Sequence, residues 1–188
     1  MDNEYRAIDD LVRNHFANVV WTHKIQEKQA EIYEARYKLL ATTNIVTASL
    51  TSAGVFSTVF VDPTWVKIVS TIAAFVTTAI SAYLTSFDYK SMARANKVAA
   101  TKLVALRDEL LILLAKIKFR QQPIQELTAE FDALQKRIHD VYTNAPNTTS
   151  KAVDMAEVSL KSNKDGTYTD AEIDSLLPNS LKREKNNE

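Results

Sequence analysis

A chain of 188 residues has room for one domain, or for a small domain with a tail, and this one carries two Gly and four Pro, too few for the many tight turns of a sheet-rich fold. Its 23 basic and 23 acidic residues cancel, so the basic excess that nucleic-acid binders rely on is missing and no direct nucleic-acid binding is expected. No Cys is present, which removes disulfides, thiolate metal sites and a Cys nucleophile together.

The composition therefore predicts an all-α fold, and the charge pattern divides it. Residues 1–38 contain no Gly or Pro and are dense in charge. Leu11, Val12, Phe16, Val19 and Val20 can share one face, and Ile25, Ile32 and Leu39 recur every seven residues. Glu27, Lys28, Glu31, Glu34 and Arg36 fill other faces. A solvated helix laced with ion pairs would look similar, but the apolar spacing favours an amphipathic arm packed on partner helices. From about Val20 this helix is expected to run unbroken into the next segment.

Residues 39–87 form the main feature. No charge occurs from Leu39 to Val61 or from Ile68 to Phe87. At about 1.5 Å per residue, the first run reaches roughly 34 Å as a helix, enough for a hydrocarbon core about 30 Å thick, and the second is only slightly shorter. Two adjacent charge-free runs of this length are unusual in a soluble chain of this size, so spans at 39–61 and 68–87 are predicted. The linking DPTWVK has Asp62 and Pro63 to stop a helix and Trp65 suited to an interface. Tyr83 and Tyr89 suit the opposite interface.

Lys24, Lys28, Arg36 and Lys38 precede the first span, and Lys90, Arg94, Lys97, Lys102 and Arg107 follow the second, while the turn has only Lys67. This bias predicts both termini in the cytoplasm. The first apolar run begins far from Met1, so no cleaved signal peptide is expected.

Polar residues within the spans fall in register. Asn44, Thr47, Thr51, Gly54 and Thr58 are spaced three and four apart, which places them on one stripe of a helix. Ser70, Ala74, Thr77, Ser81 and Thr85 form a comparable stripe on the second span. Two uses fit: close helix packing through small residues and hydroxyls, or the lining of a hydrated path in an oligomer. Both predict helix association, and Asn44 is expected to avoid lipid.

Residues 88–143 are predicted to be a helical hairpin outside the membrane. Val98, Leu103, Leu106, Leu110, Leu113 and Ile117 keep helical spacing, with Leu111, Ile112 and Leu114 widening the apolar face. Pro123 interrupts, and Ile124, Leu127, Phe131, Leu134, Ile138 and Val141 then alternate three and four apart. The short link near Gln121 makes this second helix fold back on the first.

Residues 144–188 begin with a loop. Ala152, Met155, Ala156 and Val158 allow a short helix, Asp165-Gly166 marks a turn, and Thr169 with Glu172 matches a capping box ahead of Ile173, Leu176 and Leu177. Pro178 ends that helix, and LKREKNNE is expected to be disordered. Asn163, Asp165, Thr167 and Glu172 also fall on ligand positions of an EF-hand loop with Gly166 at its sixth place. However, Lys161 then occupies the first position and opposes calcium, so no metal site is predicted. His15, His23 and His139 have no ligand spacing, and no phosphate-binding loop, nucleophile elbow or HExxH is present. Neither a cofactor nor an enzymatic role is expected.

The order of parts resembles a known group. HKIQEKQAEIYEARYKLLATTNIVTASLTS, the two-span hairpin and YKSMARANKVAATKLVALRDELL are similar to the SLATT family, over about Val20 to Tyr142, with Lys24, Glu31, Tyr33 and Asn44 at the centre of the likeness. The resemblance implies a two-span effector of bacterial nucleotide-linked conflict systems, in the inner membrane. It also implies a homo-oligomer in membrane lipid that permeabilises the bilayer when a partner signals infection, the partner being a nucleotide-signalling enzyme or, in some systems, a reverse transcriptase. The segment after Asn144 lies outside the resemblance. A passive anchor or scaffold, whose helices dock a partner, is the alternative.

Overall fold

The computed structural model describes residues 2–57, 60, 64–178 and 182. The expected turn at Asp62 and Pro63, the stripe member Thr58 and most of the LKREKNNE tail lie outside the described residues. The chain is all-α, and among the described residues there is no strand.

α1 runs from Asp2 to Ser57 without a break, and α2 follows from Thr64 to Ser86. α1 meets no Gly or Pro before Gly54, so nothing in its covalent structure interrupts the hydrogen-bond ladder across roughly 84 Å. The arm expected at 1–38 and the first span are thus one rod. Trp65 and Lys67, read from the sequence as turn residues, already belong to the first turns of α2, where both are exposed.

Phe87 follows the end of α2, and the Asp88 carboxylate accepts the Ser91 N–H at 2.9 Å to start α3, Tyr89–Lys118. After α3 the chain reverses through Arg120, whose φ is 49°, and α4 occupies Ile124–Asn144 behind Pro123. α5, Ser150–Glu157, runs into a π-helical turn at Val158–Ser162. α6, Asp170–Leu176, opens with the expected capping box between Thr169 and Glu172.

α1 is the common strut: α2 packs on one end of it, and α3, α4 and α5 pack on the other. The core at that second end joins Ile8, Val12 and Val19 of α1 to Leu103, Leu106, Leu110, Leu113 and Ile117 of α3. Leu127, Phe131, Leu134, Ile138 and Val141 of α4 close it. Its rim is stapled by Lys116 Nζ donating to Glu130 at 2.7 Å and by the Arg137 guanidinium gripping Glu109 at 2.5 and 2.7 Å. At the start of the chain, the Tyr5 hydroxyl donates to the Gln122 carbonyl at 3.1 Å and ties α1 to the α3–α4 link.

Several expected core positions lie outside it. Leu11, Leu39, Val98, Leu111 and Ile112 are exposed. Leu39 stands where α1 leaves the bundle, and Val98 and Ile112 lie off the buried stripe of α3. A seven-residue repeat does not keep to one side of a straight helix, which drifts about 20° per heptad.

Candidate functional site

The apolar hairpin of α1 and α2 carries the predicted site residues. Its exposed surface is apolar, with Ile45, Leu50, Val55 and Phe56 on α1 and Ile68, Ile72 and Phe75 on α2. Its internal contact is small and polar. Ser81 Oγ donates to Asn44 Oδ1 at 3.2 Å. Thr77 Oγ1 donates to Thr47 Oγ1 at 2.8 Å, while the Thr47 proton goes to the Thr43 carbonyl at 3.0 Å. Nearer the turn, Gly54 meets Ser70: a Cβ built on Gly54 would lie 1.8 Å from Ser70 Oγ and 2.9 Å from Ser70 Cβ. Only a glycine permits this approach.

Asn44, Thr47, Gly54, Ser70, Thr77 and Ser81 are therefore brought together between the two helices. Thr51 is half-buried beside them and donates to the Thr47 carbonyl at 2.9 Å. Thr85 is not brought in. It is exposed and donates to the Ser81 carbonyl at 2.9 Å. At about 100° per residue, the stripe that began at Ser70 has rotated about 60° by Thr85. The outward hydroxyls are treated alike: Ser49, Ser52, Thr71 and Thr78 each donate to the carbonyl four residues earlier, at 2.8 to 3.0 Å.

At the other end of the hairpin, aromatic rings gather where α2 gives way to α3. The Tyr83 and Tyr89 hydroxyls are 2.8 Å apart, Phe87 stacks on Tyr89, and Tyr33 of α1 approaches Tyr89 at 5.9 Å. Arg36, Lys38, Lys90 and Arg94 stand exposed around this cluster.

A family model describing the SMODS and SLOG-associating 2TM effector domain, family 4, matches residues 8–172. The chain belongs to this family. It is accordingly a membrane effector of conflict systems, as the SLATT resemblance implied, and its two apolar helices fit the family's two transmembrane segments. No curated protein and no solved structure matches the chain. The match corrects one expectation: it passes Asn144, beyond the resemblance seen in the sequence, and includes α5, the π-turn and the start of α6.

This SLATT domain also contains polar residues that sequence reasoning passed over. Gln26 and Gln29 of α1 and Asn96 of α3 are almost wholly buried. Gln26 Nε2 donates to the Pro146 carbonyl at 3.0 Å. Gln29 Oε1 accepts both the N–H and the hydroxyl of Thr149 at 2.8 Å. The available signal was a pair of uncharged amides, three apart, in an arm otherwise rich in charge. Their partners lie about 120 residues away and no local pattern announces them.

Beside them, a groove between α1 and α3 is lined by His23, Glu27, Glu31 and Glu34 with Lys97 and Thr101. Burial holds the His23 imidazole below its ordinary 6.5; Glu27 opposes that shift, and Lys24 and Arg107 add to it. The calcium-like positions are otherwise engaged. Asp165 binds the Ser159 hydroxyl and sits 3.7 Å from Lys24, and the Ser159 contact keeps its carboxyl below the usual range. Glu172 is committed to its capping box, accepting the Thr169 N–H at 2.7 Å. Among the described residues no three acidic or His side chains converge as metal ligands.

Proposed function

We propose that this SLATT protein is an oligomeric effector of a bacterial anti-phage system that permeabilises the inner membrane when a partner activates it. In this reading both termini and the α3–α4 bundle face the cytoplasm, and the protein acts without a catalytic site of its own. The observation that carries it is the build of the hairpin. Its helices meet through Gly54–Ser70, Thr47–Thr77 and Asn44–Ser81, and α1 continues without a joint into the bundle. Contacts of this kind can be exchanged between neighbouring copies, because lipid supplies no hydrophobic force to hold a particular pairing. The cations Arg36, Lys38, Lys90 and Arg94 at the bundle end, against Lys67 at the other, support the orientation. The partner is a nucleotide-signalling enzyme or a reverse transcriptase, as the family resemblance implies.

Induced expression together with the activating system, followed with a membrane-potential dye, tests the reading. Depolarisation that precedes growth arrest is expected; intact potential and unchanged growth reject it. The alternative, a passive anchor that docks a partner, is favoured by the exposed Val98, Leu111 and Ile112 of α3 and by Phe119 just beyond its end. It predicts that α3 surface variants abolish partner capture while potential never changes.

A further inference from the structure

The segment after α4 crosses back over α1 and is fastened there in an unusual way. α5 and the π-turn bury only Ala152, Ala156 and Ser159. By contrast, α4 buries Leu127, Phe131, Leu134, Ile138 and Val141. Val153, Met155 and Leu160 are only half-buried, so the apolar contact is thinner than that of α4, and the specific ties are polar. They consist of Gln26 on the Pro146 carbonyl, Gln29 on both groups of Thr149, and Asp165 near Lys24, with Lys161 lying 5.7 Å over the Trp21 ring.

Two features make this attachment easy to open. First, the two latching amides are only partly used: Gln26 Oε1 and Gln29 Nε2 have no partner, and each carries a desolvation cost that opening would relieve. Second, Thr149 stands at the N-cap of α5, yet its side chain makes no cap hydrogen bond, because its hydroxyl is turned to Gln29. A freed Thr149 can cap its own helix, which offsets part of what is lost. Regions with few apolar contacts open at lower free energy than the core around them.

The attachment also sits in a telling place. It joins the end of α4, through residues 145–149, to the Trp21–Gln29 stretch of α1. That stretch is about 15 Å along the same helix from Leu39, where the first span begins. We propose that residues 145–165 form a releasable strap, latched by Gln26 and Gln29, that restrains α1 against the bundle until activation removes it. The cellular consequence rests on the membrane-permeabilising reading; the latch itself does not.

Hydrogen exchange on the full-length protein in lipid nanodiscs tests the latch, with membrane potential in cells as the second readout. In the natural protein, amides of 150–162 should exchange at least tenfold faster than those of 124–144. Gln29→Leu removes the acceptor for both Thr149 groups and should speed exchange over 150–162 by about tenfold, with 124–144 unchanged within twofold. It should also depolarise cells without the activating system. Asp165→Ala, at the exposed end of the strap, should act in the same direction by about threefold and guards against misfolding of the first variant. The proposal is overturned if both segments exchange as one unit. It is equally overturned if the strap opens in either variant without depolarisation, in cells where the activated natural protein does depolarise. Should the activated natural protein never depolarise, the permeabilising reading fails, and the exchange data still decide the latch.

Discussion

The bundle and the hairpin share α1, yet they hold themselves together by opposite means. Around Val12 and Val19 the rod is gripped by Leu103, Leu110, Phe131 and Leu134, large apolar groups removed from water. Beyond Leu39 it keeps its large apolar groups outside and turns Asn44, Thr47 and Gly54 to its neighbour. The difference follows from the solvent. Water drives apolar groups together, whereas lipid is as apolar as Leu and leaves close approach and hydrogen bonds to specify the contact. One helix changes its packing rule along its length because its surroundings change.

Each half is vulnerable to damage by its own rule. Phe131→Ala should destabilise the bundle by about 3–5 kcal/mol, seen as an earlier denaturant midpoint for helicity in detergent, with the hairpin contacts kept. Gly54→Val should cost about 1–3 kcal/mol in the hairpin alone, because its side chain must displace Ser70, and Ser70→Gly should restore part of the loss. An equal effect of Gly54→Val on exchange in α4 would mean that the two halves are not separate in energy.

Thr47→Val and Thr77→Val, combined in a double-mutant cycle, should give a coupling of about 0.6 kcal/mol and below about 2 kcal/mol. A coupling of zero would leave the Asn44–Ser81 bond and shape to pair the spans. The smallest effect concerns the bundle and pH. Since burial lowers the folded-state pKa of His23, the fold favours the neutral ring. The contribution is complete above 6.5, the ordinary value, and is lost as pH falls through the lower folded-state value. Unfolding midpoints should therefore decline on acidification below about pH 6.5, and His23→Leu should flatten that part of the profile.

Much of this contrast was legible in the sequence, for identifiable reasons. Leu127, Phe131, Leu134, Ile138 and Val141 announce themselves because a helix facing one core needs one apolar stripe. The Thr169–Glu172 box needs only local geometry. The stripe from Asn44 to Gly54 was visible as spacing, but its pairing with Ser70, Thr77 and Ser81 was not, since register between helices depends on both surfaces at once. Val98 and Ile112 look like core residues until the partner helix is in place. Gln26 and Gln29 were invisible for the opposite reason: a polar side chain on a charged helix is expected to meet water, and only a strand of backbone returning from residues 146–149 excludes it.

The outward hydroxyls of Ser49, Ser52, Thr71, Thr78 and Thr85 have a consequence of their own. Each gives its hydrogen to the backbone one turn behind, so no donor goes begging when hydrocarbon surrounds the rod. The same atoms turn toward moisture by a single side-chain rotation. These helices therefore carry two wettabilities in one sequence, and passing from one to the other asks nothing of the main chain.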